Sequence, residues 1–339
     1  MADPKTLGRY RIQGVLGKGA MGLVYDAHDP KLSRRVAIKT ILTRKLDAEA
    51  ARMINVRFER EVRAVARLNH PNIVQVYDFG TEGELAFIVM EFIKGKELKE
   101  YFDAEQRFDL RTILGLMTGL LDALDFAHEA GVIHRDVKPA NVMVVDGRQA
   151  KLTDFGVARV IEPGAEQLEA TRAGTIVGTP SYMSPEQIQG QPVDRRSDVF
   201  SAGILFYQML TWQKPFTGTQ FALAKKIIEE DPVWPSAIME LPPELDRVVA
   251  RAMAKRPDER YPSARKFADA LRRILDGKPP EEPGEAVVGV PSSEAEREFW
   301  HGVKDSDDAE ELALYIEQFP RGAFVQLAQR RIAELRTKK

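Results

Sequence analysis

The sequence reads His134-Arg135-Asp136-Val137-Lys138-Pro139-Ala140-Asn141 and, thirteen residues further on, Asp154-Phe155-Gly156. Four fixed residues at the spacing of His134, Arg135, Asp136 and Asn141 arise by chance in well under roughly one chain in a hundred, given typical residue frequencies. The second string alone would be an ordinary turn. Following the first string in this order, it indicates a site rather than a turn.

The side chains of these strings suit phosphoryl transfer. Asp136 would accept the proton of an attacking hydroxyl and align it. Asn141 would offer an amide oxygen to Mg²⁺, a hard cation that prefers oxygen ligands, and Asp154 would be the carboxylate ligand of the same metal. Lys138 would steady the phosphoryl group in transit. A metal is required because the charges of the β- and γ-phosphates would otherwise face the nucleophile.

A glycine-rich segment lies near the start of the chain, at Gly17-Lys18-Gly19-Ala20-Met21-Gly22-Leu23-Val24. Three fixed glycines occur by chance in about one chain in ten of this length, so this signal alone is weak. The segment continues as a strand, which argues against a Rossmann turn, and no Gly-Lys-Ser/Thr follows, which excludes a Walker loop. A β-hairpin lid over phosphates remains, in which glycines let backbone N–H groups approach the oxygens.

The string Val36-Ala37-Ile38-Lys39 falls in the third predicted strand. Lys39 would supply a point charge to the α- and β-phosphates of a nucleotide. Such a lysine needs an anion that orients it. The predicted helix at 48–68 offers two candidates, Glu59 and Glu61.

Composition predicts a soluble globular protein. Of 339 residues, 44% are hydrophobic and 29% charged, and the formal net charge of −2 gives no global field that would recruit nucleic acid or an acidic membrane. Cysteine is absent, which excludes disulfides and thiolate chemistry. No signal peptide or membrane span is visible, and we therefore expect a cytoplasmic location.

The pattern along the chain predicts an α+β fold in two parts. Hydrophobic alternation indicates strands at 10–16, 23–27, 35–42, 73–79 and 85–91, with helical spacing at 48–68. Short β-like pieces are predicted at 132–133, 142–145 and 150–153. Helices are predicted at 110–130, 195–211, 219–230, 242–254 and 263–275.

With its motifs in this order, the chain resembles the eukaryotic-type (Hanks-type) serine/threonine protein kinases of bacteria. The resemblance covers about residues 8–276. It implies the bilobal protein-kinase fold, with a small β-rich lobe at about 8–91, a hinge at about 91–95 and a larger helical lobe at about 96–276. It also selects Glu61 over Glu59 as the partner of Lys39, since Glu61 precedes the Leu68-Asn69-His70-Pro71 ending at the family's distance.

The resemblance implies ATP as the phosphoryl donor and Mg²⁺ as the metal, with Mn²⁺ as a substitute. The implied nucleotide-binding residues are Leu16, Gly17, Lys18, Gly19, Gly22, Val24, Ala37, Lys39, Met90, Glu91, Ile93 and Met143. Within this set, Ala37 and Met143 would sandwich the adenine, and Met90 is the gatekeeper. Backbone groups of Glu91 and Ile93 would bind the adenine edge.

The resemblance also implies which hydroxyl accepts the phosphoryl group and which residues support the fold around the site. Lys138 favours Ser or Thr over Tyr, because the tyrosine kinases lack a lysine at this position. The segment 178–186 is similar to the loop that receives the substrate, with Ser184 where the family often has Ala. Glu186 is expected to pair with Arg260, and Asp198 to anchor the backbone of the loop that carries Asp136.

Activation is inferred from Arg135, the residue before Asp136. A phosphothreonine within 157–178 would pair with its guanidinium and order that segment. Thr171 and Thr175 are the candidates, and Thr175 is preferred for its proximity to Gly178. The expected partners are protein substrates with Ser or Thr acceptors and a second copy of the chain, which would phosphorylate the first in trans.

The end of the chain differs in composition. Residues 277–293 are rich in Pro, Gly and Glu, as in linkers. Residues 294–337 predict three short helices around an aromatic mini-core, similar to a tetratricopeptide-like hairpin, that either docks on the kinase or binds a partner protein. Two other functions are alternatives for a chain with this pattern: a pseudokinase scaffold without catalysis, and a kinase of small molecules.

Overall fold

The computed structural model describes most of the chain, in several stretches. They are residues 4–19, 22–42, 58–83, 85–155, 180–280, 294–304 and 308–319, with 306, 324–325, 328–329, 331–332 and 335. Gly156, Thr171 and Thr175 lie outside the described residues, as does the first part of the helix predicted at 48–68.

A twisted antiparallel sheet forms the N-terminal part, with strand order β1-β2-β3-β4-β6-β5. Its strands are β1 (Thr6–Leu7), β2 (Tyr10–Gly19), β3 (Gly22–Asp29), β4 (Arg34–Leu42), β5 (Val76–Glu82) and β6 (Leu85–Glu91). β4 lies in the middle because its alternating Val36 and Ile38 are both fully buried against one face. A helix, α1 (58–66), contributes buried Phe58, Val62 and Val65 to the core.

The C-terminal part is helical, with one small sheet. That sheet has the order β7 (Gly95–Glu97), β8 (Val142–Val145) and β9 (Gln149–Leu152). The helices are α2 (Leu98–Asp103), α3 (Leu110–Glu129), α4 (Pro185–Gln189), α5 (Arg195–Thr211), α6 (Gln220–Glu229), α7 (Pro235–Ile238), α8 (Glu244–Ala252) and α9 (Ala264–Leu275). None of the described helices combines the length and the apolar character needed to cross a bilayer.

Helix α5 is the centre of the helical part. Residues 197–211 are buried on every side, so this helix has no polar face and is packed all round by its neighbours. Asp194 starts it by accepting a hydrogen bond from the backbone N–H of Arg196 (2.8 Å). This fixed start positions Asp198, one turn later, beneath the loop that carries Asp136.

A buried ion pair joins α4 to the segment between α8 and α9, as predicted. Arg260 donates from Nη1 and Nη2 to the two carboxylate oxygens of Glu186 (2.7 and 2.8 Å), and both side chains are almost fully buried. Burial raises the pKa of Glu186, but the hydrogen bonds and the charge of Arg260, with a bond from Ser197, outweigh it and hold that pKa below its usual range. Glu186 is therefore ionised at neutral pH.

Aromatic residues of the C-terminal segment pack into a small cluster. Helices α10 (Glu294–Val303) and α11 (Ala309–Gln318) enclose an aromatic core with Phe324, whose ring stacks on Trp300 with centroids 5.0 Å apart. The hydroxyl of Tyr315 accepts a hydrogen bond from the backbone N–H of Phe324 (3.0 Å). Ala237 of α7 packs against this cluster, so the segment contacts the helical part of the fold.

The two-part α+β architecture matches the prediction, and the boundaries of the long helices agree within two residues. The β-like piece at 132–133 was wrong: these residues are not in a strand, because they belong to an irregular loop tied down by α5. β5 begins at Val76 and not at 73, since Ile73 makes an isolated bridge with Leu152 instead. β1, β7 and the short helices α2, α4 and α7 were not predicted.

Candidate active site

The catalytic loop, residues 132–141, is anchored by one buried carboxylate. Asp198 accepts the backbone N–H groups of His134 (2.8 Å) and Arg135 (2.7 Å) and bonds to Nε2 of His128 (2.7 Å). Burial raises the pKa of Asp198, but these hydrogen bonds and the neighbouring histidines outweigh it, so that the pKa lies below its usual range. Asp198 is placed as the predicted anchor of the loop.

Two backbone conformations near the site are strained. Arg135 (φ 63°) and Asp154 (φ 61°) both lie in the left-handed region, which costs a non-glycine residue about 1–3 kcal/mol. The hydrogen bond from Arg135 N–H to Asp198 offsets this cost at one position. The main chain next to Asp136 is thereby held in this conformation by the helical part of the fold.

His134 joins the catalytic loop to the segment that carries Asp154. Its side chain is fully buried, with Nδ1 accepting from the backbone N–H of Asp136 (3.2 Å) and Nε2 donating to the carbonyl of Thr153 (2.9 Å). Its ring centroid lies 4.7 Å from that of Phe155. Sequence reasoning used His134 only as part of a string and missed this bridging role.

Asp136, Lys138 and Asn141 come together as predicted. One carboxylate oxygen of Asp136, Oδ2, accepts from Lys138 Nζ (2.7 Å) and from Asn141 Nδ2 (3.0 Å), and Asn141 Nδ2 also donates to the Asp136 carbonyl (2.8 Å). Within the described residues, no hydrogen bond engages the other oxygen, Oδ1. About a third of the Asp136 side chain is exposed, so that oxygen is available to a hydroxyl that approaches from solvent.

The expected pair between Lys39 and Glu61 is not formed, which corrects the prediction for this state of the protein. Lys39 Nζ lies 2.7 Å from Asp154 Oδ2, while Glu61 lies 3.8 Å from Arg60 and is 43% exposed. The alternative, Glu59, pairs with Arg63 at 3.0 Å on the same helix. A spacing along the chain identifies a candidate anion but does not determine how the helix that carries it is rotated.

The predicted nucleotide-binding residues lie on four adjoining strands of the large sheet, in the hinge and on β8 of the small sheet. β2 carries Leu16, Gly17, Lys18 and Gly19, β3 carries Gly22 and Val24, β4 carries Ala37 and Lys39, the end of β6 and the hinge carry Met90, Glu91 and Ile93, and β8 carries Met143. The strand register places Val24 between Gly17 and Lys39, and Ala37 opposite Met90.

A cleft opens where β4, β5, β6 and α1 meet the segment that carries Asp154. Its walls are Lys39, Ile41, Val65, Val74, Val76, Ile88, Met90, Thr153, Asp154 and Phe155. Three of the predicted site residues, Lys39, Met90 and Asp154, therefore share one cleft. Apart from Met90, the apolar members were not predicted as site residues, because on the sequence they are indistinguishable from core positions.

The hinge is tied to the helical part by an ion pair that sequence reasoning also missed. Lys151 Nζ of β9 contacts both carboxylate oxygens of Glu91 (2.9 and 2.8 Å), and Glu91 Oε2 accepts from the backbone N–H of Gln75 (3.3 Å). Sixty positions separate Glu91 from Lys151. No local pattern connects them.

Two glycines of the hairpin differ in how much room surrounds them. A Cβ on Gly22 would lie 1.9 Å from the carbonyl oxygen of Thr40, whereas a Cβ on Gly17 would meet no atom within 4 Å. Gly22→Ala is therefore expected to distort the hairpin and lower the melting temperature. Gly17→Ala is expected to leave that temperature unchanged and, because the resemblance implies that the backbone of Gly17 covers the nucleotide, to raise KM for ATP.

Thermal unfolding and nucleotide kinetics of the two variants, measured side by side, check this distinction. Equal losses of stability in both variants would contradict it.

A two-lobed α+β fold with a positioned Asp136, Lys138 and Asn141 beside Lys39 and Asp154 defines a protein kinase. The family model "Protein kinase domain" matches residues 10–273, and the chain belongs to this family.

Curated relatives indicate which branch of the protein kinase family the chain resembles. The chain is 41% identical over 286 residues to the probable serine/threonine-protein kinase SCO3848 of Streptomyces coelicolor, covering 82% of this chain and 42% of that one. It is 40% identical over 290 residues to the serine/threonine-protein kinase PknB of Mycobacterium tuberculosis, covering 84% and 46%. The chain thus spans less than half the length of these relatives. The resemblance to bacterial serine/threonine kinases is confirmed.

Proposed function

We propose that this chain transfers the γ-phosphoryl group of ATP to Ser or Thr hydroxyls of protein substrates. The observation that carries the proposal is the state of Asp136, whose Oδ2 is held by Lys138 and Asn141 while its side chain remains partly exposed. A carboxylate fixed through one oxygen leaves the other to align a hydroxyl and accept its proton. Use of ATP follows from the family; the substrate class and the residue roles are our proposal.

In the proposed step, the substrate hydroxyl forms a bond to the γ-phosphorus as the bond to the β-phosphate oxygen breaks, giving ADP and a phosphoester. The hydroxyl proton goes to Asp136. Lys138 lies 2.7 Å from Asp136, where its charge also reaches the phosphoryl oxygens. The protein contributes mainly position and charge, as is general for this reaction.

The side chains present fit a magnesium ion. Asn141 uses its amide N–H₂ group on Asp136, which leaves its amide oxygen for a metal, and Asp154 would supply a carboxylate oxygen, with Oδ2 engaged by Lys39 in this state. When bound, Mg²⁺ would neutralise charge on the β- and γ-phosphates. Asn141 and Asp154 would hold it.

We propose that the described arrangement precedes activation. Active protein kinases need the strand lysine paired with the helix glutamate and the second aspartate on the metal. Here Lys39 contacts Asp154 and Glu61 is turned to Arg60. The Arg135 side chain is exposed and has no ion pair within the described residues, which supports phosphate binding from the segment 157–178.

The chain incubated with Mg·ATP is expected to phosphorylate itself within 157–178, at Thr175 or Thr171, because a phosphate there would pair with Arg135. Phosphopeptide mapping by mass spectrometry checks the site, with Thr171→Ala and Thr175→Ala as separate variants. Transfer in trans is tested by adding the active chain to an inactive one. Phosphate found only outside 157–178 would contradict the activation hypothesis, and no transfer to any protein would favour a pseudokinase.

We also propose that residues 277–293 link the catalytic domain, 8–276, to a C-terminal helical unit, 294–337. The packing of Ala237 against the aromatic cluster supports docking of this unit on the catalytic domain over a fully free partner-binding module.

A further inference from the structure

Thr40, the residue after Lys39, holds the neighbouring strand through its side chain. Its hydroxyl accepts from the backbone N–H of Leu23 (3.1 Å) and donates to the carbonyl of the same residue (3.0 Å). The side chain is only 3% exposed. Both main-chain groups of Leu23 that face β4 are therefore satisfied by one hydroxyl.

This contact lies at the end of the pairing between β3 and β4. The register of the two strands runs from Asp29 opposite Arg34 to Val24 opposite Lys39 and stops there. Leu23 would make the next pair with Thr40. The hydroxyl takes the place of that missing main-chain pair, so in the part of the chain that the structure describes it is the hydrogen-bonded contact between β3 and β4 nearest the tip of the hairpin.

The hairpin lies directly against Thr40 at the next residue. A Cβ added at Gly22 would come within 1.9 Å of the Thr40 carbonyl oxygen and 3.2 Å of its hydroxyl. On its other side, Leu23 pairs with Lys18, and Gly22 pairs with Gly19 at the end of the hairpin. The glycine-rich hairpin 17–24, of which residues 17–19 and 22–24 are described, thus loses its main-chain pairing to β4 at Thr40 and continues as β2 paired with β3 alone.

We infer that Thr40 is a positioning residue for nucleotide binding, whose hydroxyl fixes the glycine-rich hairpin relative to Lys39. This inference rests on the proposed use of ATP by the same site. Lys39 and Thr40 are consecutive on one central strand. That strand therefore positions both the ammonium group that would bind the phosphates and the point at which the glycine-rich hairpin is attached. Without the hydroxyl, the attachment point moves back to Val24, and the free part of the hairpin becomes longer.

The test compares Thr40→Val, which keeps the shape but loses both hydrogen bonds, with Thr40→Ser, which keeps the hydroxyl. Thr40→Val is expected to raise KM for ATP about fivefold with a smaller change in kcat, because a less ordered lid must be fixed when the phosphates bind. Thr40→Ser is expected to stay close to the unchanged protein. Amide hydrogen exchange of residues 17–24 in the nucleotide-free protein is expected to rise in Thr40→Val alone.

Thr118→Val is the matched control. It also removes a threonine hydroxyl, one that donates to the Leu114 carbonyl (2.7 Å) within α3, away from the hairpin. The inference is overturned when Thr40→Val and Thr40→Ser share one KM for ATP, or when hairpin exchange is equal in both. If Thr40→Val does not fold, Thr40→Cys, a weak donor and acceptor, must give an intermediate KM, and a KM equal to that of the unchanged protein refutes the role.

The exchange measurement needs no catalysis. A protein that does not use ATP fails the kinetic assay in every variant and refutes the proposed function. Unchanged exchange in an active enzyme refutes only the role of Thr40.

Discussion

Replacing Asp136 with Asn is expected to lower kcat for phosphoryl transfer by a factor between about a hundred and about ten thousand, the usual contribution of a positioned general base. The amide has the shape of the carboxylate, and its oxygen can still accept from Lys138 or Asn141. Its remaining group is an N–H₂ donor, which cannot take a proton from a substrate hydroxyl. The loss therefore comes from chemistry and not from the loop.

Transfer of labelled phosphate from ATP to a generic protein substrate measures this effect. KM for ATP is expected to change little, because the role proposed for Asp136 is at the acceptor hydroxyl and not at the adenine. Asp269→Asn is the matched control: its carboxylate is 45% exposed and belongs to α9, far along the chain from the catalytic loop. An Asp136→Asn protein that keeps more than about a tenth of kcat would contradict the assigned role.

Replacing Arg260 with Met is expected to reduce the free energy of unfolding by about 3–5 kcal/mol, the cost of removing one member of a buried ion pair. Glu186 would remain charged in an interior site, with Ser197 as its remaining side-chain partner among the described residues. The backbone carbonyls of Ala254 (2.7 Å) and Lys255 (3.0 Å) would also lose the hydrogen bonds that Arg260 donates to them. Urea unfolding followed by circular dichroism measures the change.

Arg272→Met is the control for this prediction, since Arg272 also binds both oxygens of a carboxylate, Asp122 (2.6 Å each), but its side chain is 42% exposed. The expected cost there is at most about 1 kcal/mol. Adding Glu186→Gln to Arg260→Met is expected to restore part of the lost stability by removing the unpaired charge. Equal costs for Arg260→Met and Arg272→Met would show that burial does not determine the energy of these pairs.

Much of the catalytic centre could be predicted because its members are close along the chain. Asp136, Lys138 and Asn141 lie within six residues, so one loop conformation brings them together. The pairing of Glu186 with Arg260, 74 positions apart, was accessible only through the family resemblance. Neither a local pattern nor the stated resemblance predicted the contact of Glu91 with Lys151.

Other features of the site depend on how elements pack in three dimensions, which the residue pattern along the chain does not show. Glu61 is present at the expected position, but its contact is set by how α1 lies against the sheet, which sequence spacing does not describe. Thr40 reads as an ordinary β-branched strand residue, and only the register reveals that its hydroxyl replaces a main-chain pair. Short elements such as α4 and α7 contain too few residues to show a period.

Under the proposed roles of Lys39 and Asp154, their contact makes nucleotide binding an exchange of partners. Asp154 Oδ2 lies 2.7 Å from Lys39 Nζ, so this pair would have to open before that oxygen binds a metal and Lys39 binds the phosphates. The apparent affinity for Mg·ATP would then be the intrinsic affinity reduced by the fraction of molecules in which the pair is open. A phosphate on Arg135 that favours the open population would tighten nucleotide binding without touching the nucleotide, and by reciprocity bound nucleotide would favour the phosphorylated segment's docking.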